Sequence, residues 1–344
     1  MDKRVVTFGE IMLRLAPPGC ERFLQRPQFE ATFGGGEANV AVALASLGVP
    51  AAYVTVLPEK NPIAEAVIGE LRRFNVDTSR VARRKGRLGV YYIEMGANQR
   101  PSRVVYDREH SAIAGAQPGD IDWEAACAGA GWFHITGITP AISEGVARLA
   151  LDAVRAARSA GLTVSCDLNY RKNLWKWGKQ AREIMPLLVS FCDVLVANEE
   201  DLQMALGMAA AADVQSGTLD ARQYEGLAGD VLTRYANVRL VAITLRESKS
   251  ASHNGWSACL KDKTGFCVSR RYEITHIVDR VGTGDAFAAG LIYGLMTLET
   301  PREALEFAAA LSCLKHSTPG DFSRTALEAV EALLRGEASG RVQR

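Results

Sequence analysis

The run Asp279-Arg280-Val281-Gly282-Thr283-Gly284-Asp285-Ala286-Phe287 sets two glycines, a hydroxyl and a carboxylate ahead of an apolar stretch that reads as a helix from Ala286 to about Met296. Glycines at 282 and 284 let the backbone bend tightly and turn consecutive N–H groups toward one point. The helix that follows adds its own unpaired N–H groups and the positive end of its dipole, so that point favours an anion. Asp285 places a carboxylate beside the anion pocket. A general base next to a hole for a transferring phosphoryl group is what phosphoryl transfer to a hydroxyl requires. The run by itself supports a second reading as well, because Asp is a good helix N-cap and Gly is common nearby.

A second glycine cluster, Gly34-Gly35-Gly36-Glu37-Ala38-Asn39, again lies between a strand-like segment and a helix. Three consecutive glycines let a ligand come within contact distance of the backbone. The cluster matches neither Gly-x-Gly-x-x-Gly after a first strand nor Gly-x-x-x-x-Gly-Lys-Ser/Thr, and its plain alternative is a flexible turn and helix start. Asn39, one turn into that helix, offers an amide to a hydroxyl or to a neighbouring loop. Cys166-Asp167-Leu168-Asn169-Tyr170-Arg171-Lys172 follows an apolar strand, at the carboxyl end where open α/β sheets bind ligands. Arg171 could fork onto a carboxylate or phosphate, or sit in a surface ion pair. Asn198-Glu199-Glu200-Asp201 marks another strand end, whose acids could hold a hydrated Mg²⁺ through waters or cap a helix with negative charge. Tyr106, Arg108 and Ser111 supply a ring, a cation and a hydroxyl. The five histidines show no metal-ligand spacing, and no Gly-x-Ser-x-Gly elbow is present.

These residues need a scaffold, and the pattern of apolar runs predicts one. Strands are expected at Arg4–Gly9, Ala52–Leu57, Trp132–Thr136, Leu162–Asp167, Asp193–Ala197 and Arg239–Leu245. Helices are expected at Glu37–Leu47, Pro62–Phe74 and Ser143–Ala160, from Glu199, at Pro301–His316 and at Ser323–Leu334. Continuous apolar strands alternating with amphipathic helices imply a doubly wound α/β fold, with a mostly parallel sheet flanked by helices. Two β-rich segments break the rhythm, near 11–33 and 89–111, and suggest a small β lid over a site. A hairpin is expected of Ala251–Leu260 and Phe266–Tyr272, and a surface connector at 208–228. No linker divides the chain, so residues 1–344 read as a single domain.

The bulk properties narrow the function. With 344 residues and 48% hydrophobic content, the chain can bury a sizeable core. Forty basic against thirty-nine acidic residues give no case for nucleic acid or a membrane surface, which usually need a concentrated basic face. No apolar run approaches the ~18–20 residues that span a bilayer. Met1-Asp2-Lys3-Arg4 leads into a strand, not a signal peptide. Seven scattered cysteines without a Cys-x-x-Cys pair argue for reduced thiols in a cytoplasmic protein and against a zinc site.

Taken together, Gly34-Gly35-Gly36-Glu37-Ala38-Asn39 and Asp279-to-Asp285 resemble the paired signatures of ribokinase-like, phosphofructokinase B type carbohydrate kinases. The second is close to that family's Asp-Thr-x-Gly-Ala-Gly-Asp, with Arg280 and Thr283 in place of Thr and Ala. Thr7-Phe8-Gly9-Glu10-Ile11-Met12-Leu13-Arg14-Leu15, Cys166-to-Arg171 and Asn198-to-Asp201 further resemble the subgroup of bacterial 2-keto-3-deoxygluconate kinases. The likeness runs in order from about residue 4 to residue 330. It implies a ribokinase-like domain with a β lid, using ATP and Mg²⁺ to phosphorylate a six-carbon keto sugar acid. By this resemblance Asp285 is the base, and the N–H groups of Gly282, Thr283 and Gly284 form the hole. Gly34, Gly35 and Asn39 line the sugar, with Tyr106, Arg108, Arg171 and Asp321 reaching its oxygens and carboxylate. Asn169, Asn198, Thr244, Arg246, Glu247 and the segment at His316 border ATP, and Asp201 is a water-mediated metal contact. The family's Asn-x-x-Glu is here Asn198-x-x-Asp201, and the turn Thr244-Leu245-Arg246-Glu247-Ser248 lacks the family's glycines.

Other readings remain within the same class, namely a kinase for fructose, 2-keto-3-deoxygalactonate or another sugar. From a different class, a nucleotide- or sugar-binding regulator could use this fold, although a sensor has no need of the base Asp285. A dinucleotide-dependent oxidoreductase would want its glycine fingerprint after the first strand, which Phe8-Gly9-Glu10-Ile11-Met12 lacks. Exposed edges of lid strands predict a homo-oligomer.

Overall fold

The computed structural model describes residues 3–208 and 221–337. It begins with β1 (Arg4–Phe8), β2 (Met12–Ala16), β3 (Glu30–Gly34), α1 (Gly36–Ser46), β4 (Ala51–Val54), β5 (Val56–Pro58), α2 (Pro62–Arg73), β6 (Ala82–Arg84), β7 (Val90–Glu94) and β8 (Arg103–Asp107). The middle holds α3 (Trp123–Cys127), β9 (Ala130–Thr136), α4 (Ile138–Ala141), α5 (Glu144–Ser159), β10 (Thr163–Asp167), α6 (Ala181–Val189), β11 (Val194–Ala197), α7 (Glu199–Leu206) and α8 (Ala221–Arg234). The last part is β12 (Leu240–Ser250), β13 (His253–Asp262), β14 (Phe266–Val268), β15 (Tyr272–Ile274), α9 (Thr283–Thr297), α10 (Pro301–Lys315) and α11 (Leu327–Leu334).

Local chemistry explains where the helices start. Asn61 accepts from the N–H groups of Ile63 and Ala64, Pro62 opens α2, and the helix buries Ala64, Val67, Ile68 and Leu71 at helical spacing. Ser143 caps α5 in the same way through Val146 N–H at 3.3 Å.

The main sheet runs β14-β13-β12-β11-β10-β9-β1-β4, with β15 also paired to β13. From β12 to β4 every neighbouring pair is parallel, and β13 turns antiparallel at the edge. Both faces are covered. Val5 of β1 packs into a core with Val40 and Leu44 of α1 and Phe287 of α9. Val6 and Phe8 face the opposite core, with Val146 and Leu149 of α5. Next to each other in the sheet, β1 leads away to β4 and β9 leads the other way to β10. That divergence opens a crevice beyond the strand ends, the place where doubly wound folds hold ligands. A separate four-stranded sheet, β3-β2-β7-β8, is built from the two β-rich segments expected to stand apart.

Several boundaries differ from the sequence expectations. The strand expected at Ala52–Leu57 is two strands: β4 stays in the main sheet and β5 pairs with β6 elsewhere. The main hairpin joins β12 to β13, and Ala251 lies in its turn; Phe266 pairs back across 263–265 as expected. The last helix starts at Leu327, not Ser323, and α9 starts at Thr283, not Ala286. Residues 209–220 of the expected connector lie outside the described residues, and α8 follows them. Among the described residues no helix is long and apolar enough to cross a membrane.

Candidate active site

A cavity of about 960 Å³ opens between the carboxyl ends of the parallel strands and the four-stranded sheet. At its centre is the start of α9. Gly282 has φ 80°, a left-handed conformation natural to glycine, and it is the N-cap. Asp285 is therefore the third helical residue and not the cap, so the capping alternative fails. The left-handed turn closes the helix earlier than the apolar spacing indicates, and Ala286 N–H bonds the Gly282 carbonyl at 2.9 Å. Thr283 turns its hydroxyl onto the Arg280 carbonyl at 3.0 Å. Its N–H reaches the same carbonyl at 3.5 Å, so this N–H is partly engaged before any ligand arrives. A Cβ built on Gly284 would meet nothing within 4 Å, which leaves that residue open to the cavity.

Asp285 is buried and held by Asn39. Asn39 Nδ2 donates to its Oδ2 at 2.6 Å, while Asn39 Oδ1 accepts from Gly35 N–H at 3.2 Å. Asn39, expected at the sugar, lines the cavity but bonds the carboxylate. Burial raises the Asp285 pKa to about 6, Asn39 opposes the rise, and the nearby Asp321 charge adds to it. The glycine cluster is closely packed: a Cβ at Gly34 would lie 2.0 Å from Asp321 Oδ2, one at Gly35 2.0 Å from the Glu10 carbonyl, and one at Gly36 3.5 Å from Asp285 Oδ1. Glu37 then anchors the start of α1. Its Oε1 accepts from Thr136 N–H, Thr136 Oγ1 and Thr139 Oγ1 at 2.8, 2.9 and 2.6 Å.

The two arginines named for a sugar carboxylate are differently placed. Arg108 stacks over Tyr106 at 4.9 Å and lies 2.8 Å from the buried Glu10 Oε2, an ionic contact outside hydrogen-bond alignment. Arg171 is exposed at the cavity wall, with its Nη1 on the Tyr170 carbonyl at 3.1 Å. Tyr91 joins Tyr106 on this wall, its ring 5.9 Å away, and donates to Asp321 Oδ1 at 2.5 Å.

On the opposite wall, Asn198 caps α7, and Asp201 returns the bond to Asn198 N–H while also accepting from Tyr170 N–H. The shortened Asn-x-x-Asp thus forms a capping box, with both carboxylate oxygens bonded to backbone. Burial raises Asp201 to about 6, and burial with the charges of Asp201 and Asp285 raises Asp167 well above the carboxylate range. Asn169 sits here with φ 34° and a buried Oδ1 that has no hydrogen-bond partner. Thr244 and Arg246 also line the cavity, Arg246 lying 5.5 Å over the Trp256 ring. Two expected nucleotide contacts do not reach the wall. Glu247 is forked onto Arg271 at 2.8 and 2.6 Å, which holds its carboxyl below the usual range. His316 is buried behind the cavity, its Nδ1–H on the Ser312 carbonyl and its ring against Trp256, and burial lowers it to about 4.

Among the described residues no three His, Cys, Asp or Glu side chains are grouped to enclose a metal. Asp167 and Asp201 both line the cavity, and because Asp201 gives both oxygens to backbone N–H groups, an ion such as Mg²⁺ could meet it only through waters. Glu10 and Tyr91 also line the cavity, although neither is among the expected site residues. Their signals are present in the sequence: Glu10 lies two residues past the end of β1, and Tyr91 is a ring on the buried parity of a β-former run.

Residues 2–325 match the family model described as pfkB family carbohydrate kinase. Over 344 residues the chain is 35% identical to a 2-dehydro-3-deoxygalactonokinase of Haloferax volcanii, covering 99% of each chain. It superposes on the crystal structure of a 2-dehydro-3-deoxygluconokinase from Thermotoga maritima with a TM-score of 0.91 and 47% identity, covering 98% of this chain and 99% of that one. A fructokinase from Xylella fastidiosa with bound ATP, 20% identical, shares the ribokinase-like fold at a TM-score of 0.79, covering 98% of this chain and 100% of that one.

Proposed function

Because the chain belongs to the pfkB family of carbohydrate kinases, we propose that it transfers the γ-phosphoryl group of ATP to the terminal hydroxyl of a 2-keto-3-deoxy sugar acid. We take 2-keto-3-deoxygluconate as the first substrate and 2-keto-3-deoxygalactonate as the alternative. The supporting observation is Asp285, a buried carboxylate on the first turn of α9 that Asn39 aims at the cavity. Asp285 takes the proton from the hydroxyl as the new P–O bond forms, and N–H groups of Gly282 and Gly284 face the transferring phosphoryl oxygens. The sugar lies against Gly34 and Gly35 under the four-stranded sheet, which acts as a lid. Asp167 and Asp201 are the residues that would hold Mg²⁺, through waters, and the ion would supply neutralisation of charge on the ATP phosphates. Homologues named for both sugar acids leave the two epimers as the pair to separate. Coupled ADP release with both acids and with fructose distinguishes them: turnover on fructose alone refutes the sugar-acid reading.

Arg171 is the cation we assign to the substrate carboxylate, since Arg108 already faces Glu10. Arg171→Ala raises KM for the acid on the order of tenfold or more and changes KM for a neutral sugar little. Equal effects on both substrates would refute the carboxylate role. The pH profile reports Asp285: burial lifts it to about 6, and only its ionised form accepts a proton. kcat/KM therefore rises about tenfold per pH unit up to about pH 6 and is flat above. A profile already flat at about pH 5 removes Asp285 as the base.

A further inference from the structure

Arg14 does not line the cavity, yet it is nearly fully buried between two carboxylates. Its Nη2 donates to Asp279 Oδ2 at 2.6 Å and its Nη1 to Asp321 Oδ1 at 2.7 Å. Arg14 belongs to β2 and stands in register with Tyr91 of β7, whose hydroxyl donates to the same Asp321 oxygen. Both thus reach from the four-stranded sheet to the far side of the glycine run. Val281, in that run, packs against Met12, Ala16, Tyr91 and Ile93 of the same sheet.

The two carboxylates bind what surrounds the start of α9. Asp279 accepts from Val281 N–H at 2.9 Å and Gly320 N–H at 3.0 Å, so one side chain ties two loops. The Asp321 carbonyl presses on Gly282, where a Cβ would lie 2.1 Å away, and its carboxylate presses on Gly34. Lys315, fully buried, is the second cation near this acid pair, with its Nζ on the Thr318 carbonyl at 3.1 Å. Asp279 and Asp321, with Asp285 close by, share this buried cluster with the cations Arg14 and Lys315. Without Arg14 the acids would face one another with a single cation, and their repulsion would push residues 320–321 away from 279–282.

Building on the proposed reaction, we propose that Arg14 is a positioning residue that locks the four-stranded sheet to the Gly282–Gly284 loop and so sets the phosphoryl hole when the sugar side is covered. The side chain touches no cavity surface, so its effect falls on turnover more than on substrate affinity. Its reach of two loops and one lid strand also separates it from the direct contacts assigned above.

The test uses full-length Arg14→Met, Arg14→Lys and Tyr91→Phe. Amide hydrogen exchange of peptides spanning 279–286 and 317–323 needs no substrate, so it stands or falls apart from the assigned reaction. Arg14→Met exchanges faster in both peptides, Arg14→Lys recovers part of the protection, and peptides from β9 to β11 stay unchanged. Tyr91→Phe, which removes only one hydroxyl, loosens 317–323 and keeps the proposal testable if Arg14→Met does not fold. In steady state Arg14→Met lowers kcat on the order of 10²-fold with KM for ATP within about threefold, and Arg14→Lys is intermediate. Unchanged exchange of both peptides in Arg14→Met, or kcat within about threefold of wild type, overturns the proposal. If Arg14→Met does not fold, unchanged exchange of 317–323 in Tyr91→Phe overturns it. Loss of wild-type turnover on both sugar acids would count against the proposed reaction and leave the exchange result to decide the role of Arg14.

Discussion

Asp285→Asn lowers kcat on the order of 10²–10⁴-fold while KM for the sugar and for ATP stays close to wild type. The amide keeps the shape of the carboxylate and can still accept from Asn39, so the pocket persists without a group that takes a proton. Stability should move the other way. The folded-state pKa of Asp285 lies above the ordinary 3.8, at about 6. The folded chain therefore holds this proton more tightly than the unfolded chain, and stability falls as pH rises from about 4 to about 6. Above that window the ionised group costs on the order of 1–3 kcal/mol, and the neutral amide removes much of the cost. Thermal unfolding near neutral pH should thus show Asp285→Asn as no less stable than wild type, though nearly inactive. A variant that is inactive and also strongly destabilised would indicate a structural role for Asp285 and count against the base.

Gly282→Ala has the second large effect, and it strikes fold and activity together. The residue sits at φ 80°, where an L side chain costs on the order of 1–2 kcal/mol. A methyl group there would also lie 2.1 Å from the Asp321 carbonyl oxygen, which is backbone and cannot rotate away. One loop has to move, and a displacement of about 1 Å in a positioned hole costs about 10²-fold in rate. The expected result is a loss of about 2–4 kcal/mol in urea unfolding with kcat reduced on the order of 10²-fold or more. Gly284→Ala is the control, because a Cβ there meets nothing within 4 Å and the backbone is helical. Its stability should match wild type; equal destabilisation of the two variants would contradict the clash with Asp321.

Most of the scaffold was readable in the chain because its signals are local. The apolar runs at β1, β9, β10 and β11 and the helices α1, α2 and α5 fall within a few residues of their expected ends. The β-rich segments stood out because their alternation departs from the rhythm of the parallel strands. Errors cluster where local signals mislead. Val56 and Leu57 read as the end of one strand because both halves are apolar, but they pair with Ala82 and Arg83 in another sheet. Position 285 read as a possible cap because the left-handed turn that ends at Gly282 leaves no mark in the spacing of apolar residues.

By itself the sequence determined the doubly wound fold, the two glycine clusters and the acid that follows the second one, since each depends on residues close together in the chain. Only the tertiary structure decided which groups those residues work with. Asn39 meets Asp285 across 246 positions, and Arg14 meets Asp279 and Asp321 across 265 and 307. Glu247 and His316 carry suitable chemistry, yet Arg271 claims one and burial behind Trp256 removes the other. Hydrogen bonds and buried charges depend on distances of a few ångströms, and those distances are set by how the sheet brings remote loops together.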